Sequence, residues 1–218
     1  MVDILQTREA QGELFIWTNV EAVHEEDFNR WYDREHMEER ARIPGFIWSR
    51  RYRAVGDDKC RYLALYRTRD VGVFLSEPYR KAFGNQTQWS MTNFGRMFGN
   101  TRRVTIVTPV IGKGTGAALA LIQLGDLPTA SRAANEIGAL LGEETGFLAA
   151  RILFPDPELS TPLPTKGANN FIEPFLIVEA TTEPVAAALA SRAAQKLSIA
   201  ADKVTTFDLL WDLRSEDL

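Results

Sequence analysis

A helix-spaced run, Phe28-Asn29-Arg30-Trp31-Tyr32-Asp33-Arg34-Glu35-His36, sets a carboxylate and an imidazole beside two large aromatic rings. The segment Arg50-Arg51-Tyr52-Arg53 follows it and is rich in guanidinium groups. These residue types suit proton transfer on a small organic molecule. Burial raises a carboxyl pKa and histidine titrates near neutrality, so either Glu35 or His36 could act as a general base. An arginine, Arg51 or Arg50, would then stabilise charge developing on an oxygen. Trp31, Tyr32 and Trp89 could line an apolar pocket, while Tyr52 and Tyr66 could donate hydrogen bonds to a ligand oxygen.

Each assignment has a plainer alternative. Glu35 and Glu39 could form structural ion pairs with Arg50, Arg51 or Arg53. His36 could be a satisfied histidine at a helix edge. Buried tyrosines commonly pack the ring and send the hydroxyl to water. The aromatic stretch around Trp89, Met91, Asn93 and Phe94 reads as a loop, either a lid or a contact in a homo-oligomer.

The helix that must position these groups runs from about residue 25 to 41 and stops at Pro44-Gly45. Glu25, Glu26 and Asp27 open it and Arg40 and Arg42 close it, as the helix dipole favours. On a wheel of ~100° per residue, Phe28, Trp31, Tyr32 and Ile43 share one stripe with Glu35 and Glu39. His36 falls at the stripe's edge, and Met37 points the opposite way, toward solvent or a partner.

Composition narrows the function classes. A net charge of −4 argues against non-specific nucleic-acid binding, which needs a basic surface to displace counterions. One cysteine, Cys60, excludes an internal disulfide framework and a cysteine-rich zinc site, and the presence of only two histidines argues against a protein-only transition-metal site. No apolar run approaches the roughly 18 residues of a membrane span, and Met1–Glu13 does not read as a signal peptide. A cytoplasmic location is the expectation.

The order of elements repeats. Strand, helix, strand, strand, helix and strand are read at 14–20, 25–41, 46–54, 62–68, 70–83 and 104–111. Ser76-Glu77-Pro78 marks a restart inside the second helical region. The same order returns at 118–124, 128–141, 147–154, 175–181, 183–197 and 204–213. Gly45-Phe46-Ile47-Trp48-Ser49-Arg50 and Gly146-Phe147-Leu148-Ala149-Ala150-Arg151 occupy the same station in the two halves. The glycine-rich segment 112–116 separates a first half, 1–112, from a degenerate second half, 113–218. Two such units would each expose an apolar sheet face, and packing the faces together removes both from water.

The first-helix motif, followed by Ile43-Pro44-Gly45-Phe46 and Arg50-Arg51-Tyr52, resembles the EthD-like branch of the dimeric α+β barrel superfamily. The matching motif covers about residues 25–55. The resemblance implies an α+β fold: duplicated ferredoxin-like βαββαβ units forming a single-chain pseudo-dimeric α+β barrel. It implies a protein acting by proton transfer, without a metal or other cofactor, on a small aromatic or polyketide-like compound. A non-catalytic small-molecule-binding or assembly module is the alternative. The helix of the second half, Ser131-Arg132-Ala133-Ala134-Asn135-Glu136-Ile137-Gly138, lacks both the aromatic pair and a histidine, so one site is expected, in the first half.

Overall fold

The computed structural model describes residues 9–56, 61–160 and 172–218. Cys60 and most of the turn Gly56-Asp57-Asp58 lie outside the described residues. Strand β1 (Gly12–Val20) leads to helix α1 (Glu25–Trp31), a π-helical turn (Tyr32–His36) and helix α2 (Met37–Ala41). Strands β2 (Phe46–Ala54) and β3 (Tyr62–Thr68) follow, then a 3₁₀ turn (Val71–Leu75) and helix α3 (Glu77–Gly84). Helix α4 (Gln88–Arg96) and strand β4 (Met97–Gly112) complete the first unit. The second unit is β5 (Ala118–Gln123), α5 (Leu127–Leu141), β6 (Phe147–Pro155), β7 (Phe175–Ala180), α6 (Glu183–Leu197) and β8 (Val204–Arg214).

The segment 84–100, expected as a loop, holds α4 and the start of β4. The Thr87 hydroxyl accepts from the Ser90 backbone N–H and caps α4 at its N-terminus. The restart expected at Ser76 is present, with the Ser76 hydroxyl accepting from Tyr79 N–H and Pro78 in the first turn.

All strands pair antiparallel in one closed barrel, ordered β1-β3-β2-β8-β5-β7-β6-β4. Within each unit the order is fourth, first, third, second. The units join where β8 pairs β2 and β4 pairs β6, so no strand edge is left open. The repeated Gly-Phe station is geometric as well. Gly45 and Gly146 have φ of +97° and +83°, a region that favours glycine, and their carbonyls accept from Arg69 N–H and Thr181 N–H.

Because strand residues alternate faces, each sheet has two buried sides. Phe15, Leu63, Tyr52, Leu119, Ile177 and Phe207 point into the barrel and form a core shared by both units. Leu14, Tyr62, Ala64 and Tyr66 point outward to the helices of the first unit, packing against Phe28, Trp31 and Tyr32. The corresponding outer face of the second unit is filled by alanine and leucine from α5 and α6.

One expectation fails at the first helix. Met37 was placed toward solvent, yet it is 0% exposed. The cause is the π-helical turn, in which Met37 N–H donates to Tyr32 O, one residue further than in an α-helix. An extra residue in the turn retards everything after it by about 100° on a 3.6-residue wheel. Met37 and Arg40 therefore rotate into the buried side, and Glu39 rotates to the edge.

Candidate functional site

Between the first helix, α3, α4 and the outer face of β1, β3 and β4 lies a cavity of about 380 Å³. Its walls are mostly apolar, from Leu14, Ile16, Phe94 and Met97, with Phe83 and Met91 exposed at its rim. The polar groups are few: Tyr32, His36, Arg40, Tyr66, Tyr79, Gln86, Asn100 and Arg102. That size and that sparse polarity are those of a small-molecule site.

His36 is buried, its ring stacked on Trp31 at 4.3 Å between centroids and set edge-on to Tyr32 and Phe94. Nδ1 lies 3.5 Å from Glu39 Oε2, and no hydrogen bond engages Nε2 among the described residues. Burial, reinforced by the charge of Arg40 and opposed by Glu35, holds the imidazole well below its usual value, so it is neutral at physiological pH. Burial conversely raises the Glu39 carboxyl, against the pull of Arg40.

Tyr32 and Tyr66 stand side by side on the helix and β3. Burial raises the Tyr32 phenol, offset by Arg51, Tyr66 and Arg40. Burial raises Tyr66 further, with Tyr32 adding to it. Both remain protonated donors at neutral pH. The Tyr66 hydroxyl is buried beside that of Tyr32, with no protein partner in good hydrogen-bonding geometry among the described residues.

Of the residues singled out in the sequence, Tyr32, His36 and Tyr66 meet at this cavity. Met91 and Phe94, from the stretch expected as a lid or contact, line it too, whereas Glu35, Trp31, Arg50, Arg51, Tyr52 and Trp89 do not. Glu35 sits half-buried at the helix margin, where one oxygen accepts from Trp31 Nε1 (3.2 Å), Thr87 Oγ1 (2.6 Å) and Ser90 Oγ (3.1 Å). Trp31 backs the His36 ring. Arg51 lies behind Tyr32, its guanidinium 4.1 Å from that ring and 4.7 Å from Tyr62, donating to Asn29 Oδ1 at 2.6 Å. Its nearest carboxylate is Asp33, at 3.6 Å. Trp89 donates to Asp27 on the outer side of α4.

Arg50 and Tyr52 cannot share a face with Arg51, because neighbouring strand residues alternate. Both point into the barrel, Arg50 bonded to Asp212 at 2.9 Å and stacked on Trp48. The Tyr52 phenol is buried there, raised by burial and by Glu179 beside it. The sequence reading missed Arg40, Tyr79, Gln86, Asn100 and Arg102. Arg40 was hidden by the π-helical turn and Tyr79 lies on α3, read only as a helix; the other three lie on elements read as a loop or at its border.

A wider groove of about 800 Å³, lined by Glu25, Glu26, Arg53, Arg61 and Asp208, is open and charged on both sides. The cleft between α6 and β8 carries no ionisable side chain. Among the described residues, no three His, Cys, Asp or Glu side chains cluster as metal ligands. No helix among them is long and apolar enough to cross a membrane.

No protein-family model matches the sequence, and no curated protein does either. Solved structures do match over nearly the whole chain. An anthrone oxidase-like protein aligns at 11% identity and TM-score 0.56, covering 95% of this chain and 94% of its own. A candidate monooxygenase from Lactobacillus acidophilus aligns at 9% identity and TM-score 0.56, covering 95% and 97%. A second, from Fusobacterium nucleatum subsp. nucleatum, aligns at 12% identity and TM-score 0.57, covering 94% of each chain. Such identities speak to fold alone, and the fold agrees with the EthD-like resemblance of the first helix. The chain shares the α+β barrel fold of these structures, built from two βαββαβ units in one polypeptide.

Proposed function

We propose that the first unit, residues 1–112, is a small-molecule enzyme of the EthD-like kind, and that residues 113–218 serve as its structural partner. The observation that carries this reading is the apolar cavity of about 380 Å³ that touches His36. A protein whose first-helix charges were purely structural would have filled that volume with side chains.

In this reading the substrate is a flat aromatic or polyketide-like compound with an acidic C–H or O–H. His36, neutral and with Nε2 uncommitted, takes the proton, and the electron pair moves to a conjugated oxygen. Tyr66 and Tyr32, protonated and enclosed, donate hydrogen bonds to that oxygen as it gains charge. Arg51 is a positioning residue that acts through Tyr32. The anthrone oxidase-like and monooxygenase neighbours support this choice of substrate class, since an anthrone carries such an acidic methylene conjugated to a ketone.

A thermal-shift screen of aromatic ketones, phenols and lactones tests the reading. A ligand present at 100 times its Kd stabilises the native state by about 2.7 kcal/mol. Hits that vanish in Tyr66→Phe and His36→Ala are expected. A library without hits overturns the site. Hits that bind through His36 and Tyr66 but never turn over would favour a binding module.

A further inference from the structure

Resting on that reading of the cavity, we infer that its ligand carries an anionic group, a carboxylate or an equally acidic enolate, and that Arg40 receives it. Arg40 is 5% exposed and lines the cavity. Among the described residues, its one side-chain hydrogen bond runs from Nη2 to the neutral Gln86 Oε1, at 3.2 Å. No carboxylate lies within 4 Å of its guanidinium among the described residues, whereas Arg50, Arg61, Arg67 and Arg151 each have one. A guanidinium cannot shed its charge as a lysine can, so it stays charged and underpaired at the wall.

The acidic group nearest in sequence does not remedy this. Glu39 turns its Oε2 toward His36 Nδ1, 3.5 Å away, and makes no ion pair with Arg40. Among the described residues the cavity lining contains no Asp or Glu, while it contains a second cation, Arg102, engaged with Tyr79 Oη at 2.9 Å and Leu159 O at 2.8 Å. An apolar chamber with cations and no anion is complementary to a hydrophobic acid. An incoming carboxylate would give Arg40 the charge-assisted, bidentate partner it lacks. It would also fix the compound's orientation, with Tyr32, Tyr66 and His36 facing the rest of the ring system.

The test compares two fluorescent probes of the same shape, anthracene-9-carboxylate and anthracene-9-carboxamide, titrated into the full-length protein. The carboxylate should bind at least tenfold tighter. Arg40→Gln should erase most of that preference while leaving the carboxamide affinity unchanged, and Arg40→Lys should restore part of it. Equal affinities in the wild type overturn the anionic-ligand inference and leave the cavity reading standing. A preference that survives Arg40→Gln overturns the assignment to Arg40. Binding of neither probe overturns both. Should Arg40→Gln fail to fold, the wild-type pair alone decides whether the ligand is anionic, and Arg40→Lys decides whether Arg40 receives it.

Discussion

His36 and Tyr66 make opposite demands on the protein, and both demands are measurable. His36 is held well below its usual pKa by burial and by Arg40. The unfolded chain takes up a proton below about pH 6.5 that the native state refuses. Stability is therefore full above that pH and declines as the pH falls below it. His36→Phe should flatten the decline between pH 6.5 and 5 in thermal denaturation, and parallel profiles for the two proteins would contradict the burial argument. The buried Tyr66 hydroxyl has no protein partner in good hydrogen-bonding geometry among the described residues. Removing it in Tyr66→Phe should leave unfolding free energy within about 0.5 kcal/mol or raise it. The same change should weaken ligand binding roughly tenfold, the value of one hydrogen bond. A large loss of stability would mean that the hydroxyl has a structural partner after all.

Glu35 shows what an element does that a residue type cannot announce. Its single oxygen gathers Trp31, Thr87 and Ser90, and so ties the π-helical turn to the N-terminus of α4, one wall of the cavity. Glu35→Ala should lower stability by about 1–2 kcal/mol, as the loss of half-exposed charge-assisted bonds does. Probe affinity should change less than threefold. Unchanged stability with abolished binding would instead make Glu35 the proton carrier. The strands were legible because alternation and turn signals are local, so 46–54 and 62–68 fall where the pattern put them. The face of the first helix was legible only up to Tyr32. An i→i+5 turn leaves no mark in hydrophobic periodicity, and it moved Arg40 into the site and Glu39 out. The strand arginines were misplaced for a different reason. Two buried sheet faces make both parities apolar, so nothing in Arg50-Arg51-Tyr52 tells which side faces the cavity.

At the scale of the whole molecule, the barrel interior holds a charge cluster that neither unit could satisfy alone. Glu13 is 0% exposed and accepts from Arg67 of its own unit at 2.5 Å and from Arg151 of the other at 3.2 Å. Arg151 also reaches Glu179 at 2.8 Å, and Glu179 accepts from Gly116 N–H. The strand registers make Arg67 and Glu179 equivalent positions: Trp48 pairs Arg67 and Ala149 pairs Glu179. The residue facing each is Glu13 in one unit and Leu119 in the other. The two units thus carry different charges at matching stations, and two copies of the first unit would meet without Glu179. Such a cluster favours this pairing over others more than it adds to stability. Breaking it is a different matter. Glu13→Gln leaves the buried Arg67 without a carboxylate and Arg151 with Glu179 alone, and should cost about 3 kcal/mol at pH 7. Burial raises the Glu13 carboxyl, but Arg151 and Arg67 outweigh it and hold the group below its ordinary value. A lowered native pKa means that the contribution is complete above the unfolded value near 4.5 and lost as the pH falls through the native one. Urea denaturation at pH 7, 5, 4 and 3 should show the gap between wild type and Glu13→Gln constant to about pH 5 and closing below it. Adding Arg67→Met to Glu13→Gln should cost less than the sum of the single changes, since the two side chains share one interaction. A gap that persists undiminished to pH 3, or additive losses, would show that Glu13 acts through packing and not through its charge.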